Sequence, residues 1–319
     1  KDIMPEYMRF LVGVIDSEDI PLNISRETIQ NNIKIDKIRK HILKKIFEKL
    51  ESIKKIDREK YLSLWEKFHR NLKEGVITDF DNRSKIAPLL LFYSSKESKD
   101  KLIDLNEYIS RMAKDQKEIY YTTGHELDSL EKSPALEAFK KKDIEVLFLV
   151  DPLDEFVIEH LREFKGKSFK IAEGADIQLD DKETEEKDKD LIKDLNDFVA
   201  YLKKVYGERV EDVRLSKRLV DSPCILVHRA GGPSIQMEKV IKMSNKDYAF
   251  TKRIIEINQK NDLIKEMVRI HKASPKSGEL NKLANQLLEN MLLREGILED
   301  MDGSILRLQD IMLIAAKKI

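Results

Sequence analysis

Cysteine is almost absent: Cys224 is the only one among 319 residues. That excludes an intrachain disulfide and any metal site built from cysteines, and it fits a reducing compartment. An excess of one charge is also missing. Lys and Arg number 59, as do Asp and Glu, so a whole-chain pull on nucleic acid is not expected. No apolar run approaches the roughly 18 residues that span a bilayer. The opening KDIMPEYMRF lacks the apolar core of a signal peptide and reads as mid-domain sequence, so a fragment of a longer protein is expected. P-loop, GxGxxG, HExxH, GxSxG and CxxC patterns are missing. The six histidines are scattered, with no metal-ligand pair among them. These absences lead to an expectation of a soluble, cytoplasmic chain with no metal, no membrane span, no nucleic-acid partner and no self-contained active site.

What is present is charge-rich, 37% against 41% apolar, and sufficient for several modest cores in two or three domains. Ile35, Ile38, Ile42, Ile46, Leu50 and Ile53 recur at helical spacing. The lysines of KIRKHILKK, with His41, fill the solvated side of that helix. A second helix after Asp57 carries Tyr61, Leu64, Trp65 and Phe68 on one side. A third is expected near Ile86 to Tyr93, with Pro88 in its first turn. EIYYTTG then reads as a buried strand ending at Gly124. A helix from about His125 to Lys141 and the apolar strand IEVLFLV complete a βαβ unit with an expected parallel pair. A helix from Leu153 to Phe164 and a strand near Phe169 follow.

LDDKETEEKDKD, Leu179 to Asp190, is nearly all charge and marks the expected boundary. It divides a first domain, 1–184, from a second, 185–319. Within the first, a loop at 13–30, a helical group at 27–100 and an αβα subdomain at 115–178 are expected. The second opens with Leu191, Leu195, Phe198, Leu202 and Val205 on a helix that stops at Gly207. Strands near Val210–Leu215, Ile225–His228 and Ile254–Asn258 enclose a helix from Ser234. Cys224, among apolar neighbours, reads as a small buried hydrophobe. The fold class is α/β in the broad sense, α+β in detail. The C-terminus offers two stripes, Leu280, Leu283, Leu287 and Met291, then Ile305, Leu308, Ile311, Met312 and Ala315, with Ser304 as an N-cap after Gly303. A homodimeric four-helix bundle would cover them, as would folding onto their own domain, and both readings stay open on spacing alone.

DSEDIPLNISRETIQ, residues 16–30, holds the chain's most unusual arrangement. With Ser25 as N-cap, Arg26 falls in the first helical turn, where the helix dipole disfavours a cation. Gln30 lies one turn on. Free N–H groups, a guanidinium and a carboxamide would converge on one point, which suits a phosphate. A surface ion pair of Arg26 with Glu27 or Asp19 satisfies the same spacing.

This stretch strongly resembles the middle-domain catalytic loop of the ninety-kilodalton heat-shock chaperone family, and of its bacterial form in particular. PEYMRF, IYYTTG, IEVLFLVDPLDEF, LREFKGKSF, VRLSKRLVDSPCILV and the late ILED follow in the family's order, so the resemblance covers essentially the whole chain. It implies ATP, with magnesium, bound in an N-terminal domain of the gyrase and histidine-kinase fold group that this chain lacks. It implies that Arg26 meets the γ-phosphate, with Gln30 beside it and Asn23 holding the loop's approach. The general base would be a glutamate of the other domain, so this chain alone would not hydrolyse ATP. The resemblance further implies a client-binding surface for unfolded proteins at Glu155 and Phe156 and along Ile235, Met237, Val240 and Ile241. It implies a homodimer through Leu280, Leu283, Leu287, Met291, Leu308, Ile311 and Met312. Val12 departs from a usual arginine, Thr28 from a larger apolar residue, and HRAGGPSIQ is glycine-rich where the family varies. A non-catalytic dimeric scaffold is the alternative.

Overall fold

The computed structural model describes residues 3–16, 33–177, 179 and 189–317. Residues 17–30 of the expected loop, including Asn23, Arg26 and Gln30, lie outside the described residues. Helix α1 (Ile33–Ile56) buries Ile35, Leu43, Phe47 and Leu50. Ile46 and Ile53 are partly covered, and Ile38 and Ile42 sit at the margin. The docked row is the one holding the large Phe47 ring, adjacent to the isoleucine row read from sequence. Asp57 caps α2 (Arg58–Thr78) by accepting from the Lys60 N–H at 3.0 Å, and Tyr61, Trp65, Leu72 and Val76 face inward.

The expected third helix is corrected. Helix α3 (Arg83–Ile86) gives way to a 3-10 turn at Ala87–Leu89 and then to strand β1 (Leu91–Ser94). Pro88 has no N–H to continue a helix, and the apolar run after it fits a buried strand. Strand β2 (Ile103–Asp104) leads into α4 (Leu105–Arg111), where Asp104 and Glu107 form a reciprocal capping box. Strand β3 (Glu118–Thr123) lies where expected. The single helix expected over His125–Lys141 is instead α5 (Leu127–Glu131), a 3-10 turn at Pro134–Leu136 and α6 (Glu137–Lys141), broken by Pro134.

Strand β4 (Val146–Leu149) and α7 (Pro152–Leu161) come next, then β5 (Glu163–Phe164) and β6 (Lys167–Ile171). Helix α7 stops three residues earlier than expected because Arg162 adopts φ 59°. Helix α8 (Lys189–Tyr206) ends at Gly207, whose φ of 52° is the left-handed stop that glycine tolerates best. Strands β7 (Asp212–Leu215) and β8 (Cys224–Val227), helix α9 (Ile235–Ser244) and strand β9 (Ile254–Ile257) match their sequence patterns. Helices α10 (Asp262–Ala273), α11 (Gly278–Arg294) and α12 (Met301–Ala316) finish the chain. The cap of α12 is Asp300, which accepts from the Gly303 N–H at 2.9 Å, so Ser304 lies inside the helix and not at its start.

The elements form two compact units, Lys1–Leu127 with Leu147–Lys170, and Asp128–Val146 with Ile171–Ile319. In the first, six strands run in the order β2-β1-β4-β3-β6-β5. β1 is antiparallel to both β2 and β4, and β5 to β6. α1, α2 and the 3-10 turn at residues 6–8 share one apolar core with this sheet. Lys54 and Asp104, both buried, pair inside it.

In the second unit β9 is central, parallel to β7 and antiparallel to β8. Leu195, Phe198 and Leu202 of α8, Ile264 and Met267 of α10, and Leu280, Leu287 and Leu288 of α11 pack on that sheet. Cys224 is in this core, and burial pushes its thiol up to about 12, as suits a small hydrophobe and not a nucleophile. Residues 171–177 are held by Arg218, which donates to the Ala172 and Gly174 carbonyls at 2.9 and 2.8 Å and pairs with Glu256. Residues 128–146 are held by Glu137, whose carboxylate accepts from the Val220, Asp221 and Ser222 N–H groups at 2.6, 2.9 and 3.0 Å.

Candidate functional site

The backbone leading toward the Arg26 loop is well anchored. Tyr7 is buried, its hydroxyl donates to Asp79 at 2.7 Å, and Phe10 stacks on Phe68 with ring centroids 4.6 Å apart. Gly75 makes this docking possible, since a Cβ there would lie 2.7 Å from the Tyr7 ring. Beyond this anchor Val12 and Val14 stand in solvent on either side of Gly13. On the far side, Arg39 in α1 donates to the Ile3 carbonyl at 2.7 Å.

Helix α7 carries Glu155 and Phe156. Its start is fixed by Asp151, which accepts from the Leu153 N–H at 3.0 Å, and by Asp154, which accepts from the Asp151 N–H. Lys73 of α2, itself buried, lies 3.0 Å from Asp151 and 2.7 Å from Asp154. His69 lies 3.4 Å from Asp151. Burial pushes the Asp151 carboxyl up, but the Lys73 charge, the Leu153 N–H and His69 outweigh it and hold it below the usual range. Asp154 is buried more deeply, and there desolvation wins over Lys73 and raises its carboxyl. One lysine thus pairs with two carboxylates that set the helix's position, while Phe156 and Glu155 stay half-buried on its surface.

Helix α9 carries the second set. Ser234 caps it by accepting from the Met237 N–H at 3.0 Å. Glu238, wholly buried, pairs with Arg253 and accepts from the Tyr248 hydroxyl and the Thr251 N–H, both at 2.9 Å. This tether divides the expected client residues. Ile235 is buried, Met237 and Val240 are half-buried, and Ile241 is exposed. Met243, 79% exposed, extends the outward surface. Sequence reasoning missed it because it sits off the stripe that Ile241 continues.

The C-terminal set divides more sharply. Leu280, Leu287 and Met291 face the second unit's own core, with Leu283 partly covered. Leu308 and Met312 of α12 stand in solvent and Ile311 is half-buried. Met301, Ile305, Leu306 and Leu313 are exposed on the same helix. Among the described residues no group of three or more His, Cys, Asp or Glu is placed to hold a metal, and no helix is long and apolar enough to cross a membrane.

Comparison with known proteins adds the family. The family model described as Hsp90 protein matches residues 1–317. The chain is similar to the chaperone protein HtpG of Desulfotalea psychrophila, 38% identical over 309 residues, covering 94% of this chain and 49% of that protein. It is 41% identical to the Coxiella burnetii chaperone protein HtpG over 296 residues, 92% of this chain and 46% of that one. Against HtpG of Buchnera aphidicola it is 38% identical over 314 residues, 97% and 50% of the two chains. The chain spans about half the length of the curated relatives it matches. A match of this extent places it: the chain belongs to the Hsp90 protein family.

Proposed function

We propose that this chain is the middle and C-terminal part of an ATP-dependent chaperone. The observation that carries the reading is the family match along residues 1–317, with relatives named as chaperones. ATP, with magnesium, is held by a nucleotide-binding domain outside this sequence. On closure Arg26 reaches the γ-phosphate and stabilises its developing charge, with Gln30 beside it and Asn23 shaping the approach. The firm anchoring of Tyr7 and Phe10 supports this part of the reading, because a loop that must arrive at one point needs a fixed base. Clients meet apolar surface at Phe156 and Glu155 and along Met237, Val240 and Ile241, and the exposure of Ile241 and Met243 supports that assignment. Two copies associate through the α12 surface containing Leu308, Ile311 and Met312. The α11 residues Leu280, Leu287 and Met291 are buried in the second unit's own core.

The test is the steady-state ATPase of the full-length protein carrying Arg26→Ala. The expected outcome is a loss of about 10³-fold in kcat, with nucleotide binding retained. Unchanged hydrolysis would remove Arg26 from the catalytic assignment and leave the dimeric scaffold as the better reading.

A further inference from the structure

Ile3 and Arg39 stand 36 positions apart in sequence, yet the Arg39 Nε donates to the Ile3 carbonyl at 2.7 Å. That bond closes a ring of chain, and Asn23, Arg26 and Gln30 belong to the ring. The arm entering it is fixed to α2. Tyr7 is buried with its hydroxyl on Asp79, Arg9 pairs with Glu74 at 2.7 Å, and Phe10 stacks on Phe68. Asp79 is held in turn by Asn82, whose backbone N–H and side-chain amide donate to it at 3.1 and 2.9 Å. The arm leaving the ring is α1, which buries Ile35, Leu43 and Phe47. Arg39 ties one arm to the other. Asp36, one turn back, accepts from its Nη1 at 3.0 Å and leaves Nε aimed at Ile3.

A magnitude shows what this tie controls. Unwinding one turn of α1 ahead of Arg39 would lengthen the leaving arm by roughly 6 Å, the difference between helical and extended rise. A misplacement of about 1 Å at a reacting centre can cost about 100-fold in rate. Helix ends are among the parts of a fold that open most cheaply. Arg39 lies outside the apolar core and its side chain is 30% exposed, so the fold itself depends little on it.

We propose that Arg39 is a positioning residue: its bond to the Ile3 carbonyl fixes the two arms relative to each other, and so sets where Arg26 can reach. The proposal rests on the catalytic reading of Arg26 given above and adds the side chain that joins the entry to the exit.

Single-turnover ATP hydrolysis by the full-length protein tests it, comparing wild type with Arg39→Ala, Arg39→Lys, Arg26→Ala and the double variant Arg26→Ala with Arg39→Ala. Arg39→Ala is expected to slow hydrolysis about tenfold, while ATP affinity, set by another domain, changes less than about twofold. Arg39→Lys keeps a donor on a flexible stem and should recover part of the rate. In the Arg26→Ala background Arg39→Ala should change nothing, because a positioning residue acts only through the group it positions. Amide exchange at residues 35–40 of the 319-residue chain should quicken severalfold in Arg39→Ala, with the denaturant midpoint near that of wild type. Should Arg39→Ala fail to fold, Asp36→Ala, which frees the guanidinium from its aim, makes the same comparison with a smaller loss. A wild-type rate in Arg39→Ala beside an impaired Arg26→Ala overturns the role of Arg39 alone. So does a loss that persists undiminished in the Arg26→Ala background, which marks a purely structural contact. A wild-type rate in Arg26→Ala overturns the catalytic reading, and the proposal with it.

Discussion

The two units cover their apolar surface to different degrees. In the first, the large hydrophobic side chains left exposed among the described residues are Leu11, Val12, Val14 and Ile15 in one extended run, with Ile56 and Phe80 at or near helix ends. Helices α1 and α2 are otherwise covered. The second unit leaves Ile241 and Met243 exposed on α9, and Met301, Ile305, Leu306, Leu308, Met312 and Leu313 on α12. Both units bury charge, yet for different purposes. Lys73 in the first unit holds together a helix start, whereas Glu238 and Glu289 in the second hold helices that each leave some apolar side chains exposed. A scattered exposed hydrophobe needs no explanation, but a whole seam of them does.

Substitutions can break this contrast. Lys73→Ala should have the largest effect, because it leaves the buried Asp154 and the half-buried Asp151 without their lysine. A loss of about 3–5 kcal/mol is expected, read as faster amide exchange in α2 and α7. Leu287→Ala opens a cavity in the second unit's core and should cost about 2–5 kcal/mol, measured by denaturant unfolding. A wild-type-like midpoint would mean that α11 is not the core helix of that unit.

The pH dependence separates the units further. His228 is buried in the second unit, and desolvation together with the Arg253 charge lowers its imidazole to about 3, against the Pro233 carbonyl that would raise it. The unfolded chain takes up this proton near 6.5, so the second unit should lose stability as pH falls from about 6.5 toward 3, by at most about 1.4 kcal/mol per unit. His228→Gln should flatten that slope in a pH series of unfolding midpoints. Smallest in stability terms is Met312→Asp, expected to move the unfolding free energy by less than about 0.5 kcal/mol. The same change should still weaken self-association about 100-fold by sedimentation.

Residues whose neighbours in sequence decide their structure were legible in advance. Asp57, Ser234 and Gly207 mark helix ends through chemistry that acts within four residues. The mixed α and β character followed from period alone. Residues 86–93 were misread as helix because a continuous apolar run has no period to distinguish strand from buried helix. Pro134 was visible, but the way it splits residues 125–141 involves a 3-10 turn that Ser133 caps. Periodicity also showed that α11 and α12 each carry an apolar stripe. It could not show that Leu287 turns inward and Met312 outward, since that depends on which face of each helix the rest of the second unit covers. For Arg26, Gln30 and Asn23 the sequence supplied residue types and spacing, and the anion is only what the resemblance to the family implies.

Residues 128–146 have a further consequence for anyone dividing the chain. The polypeptide leaves the first unit at Leu127, packs with the second, returns at Leu147 and leaves again at Lys170. Three covalent crossings therefore join the two units, and no single cut separates them. A fragment ending in the charged run after Leu179 would keep Ala135, Leu136 and Phe139, all buried in the whole chain, but lose the loop that receives Glu137. Such a fragment would carry an adhesive segment of its own making, and its aggregation would be mistaken for a property of the first unit.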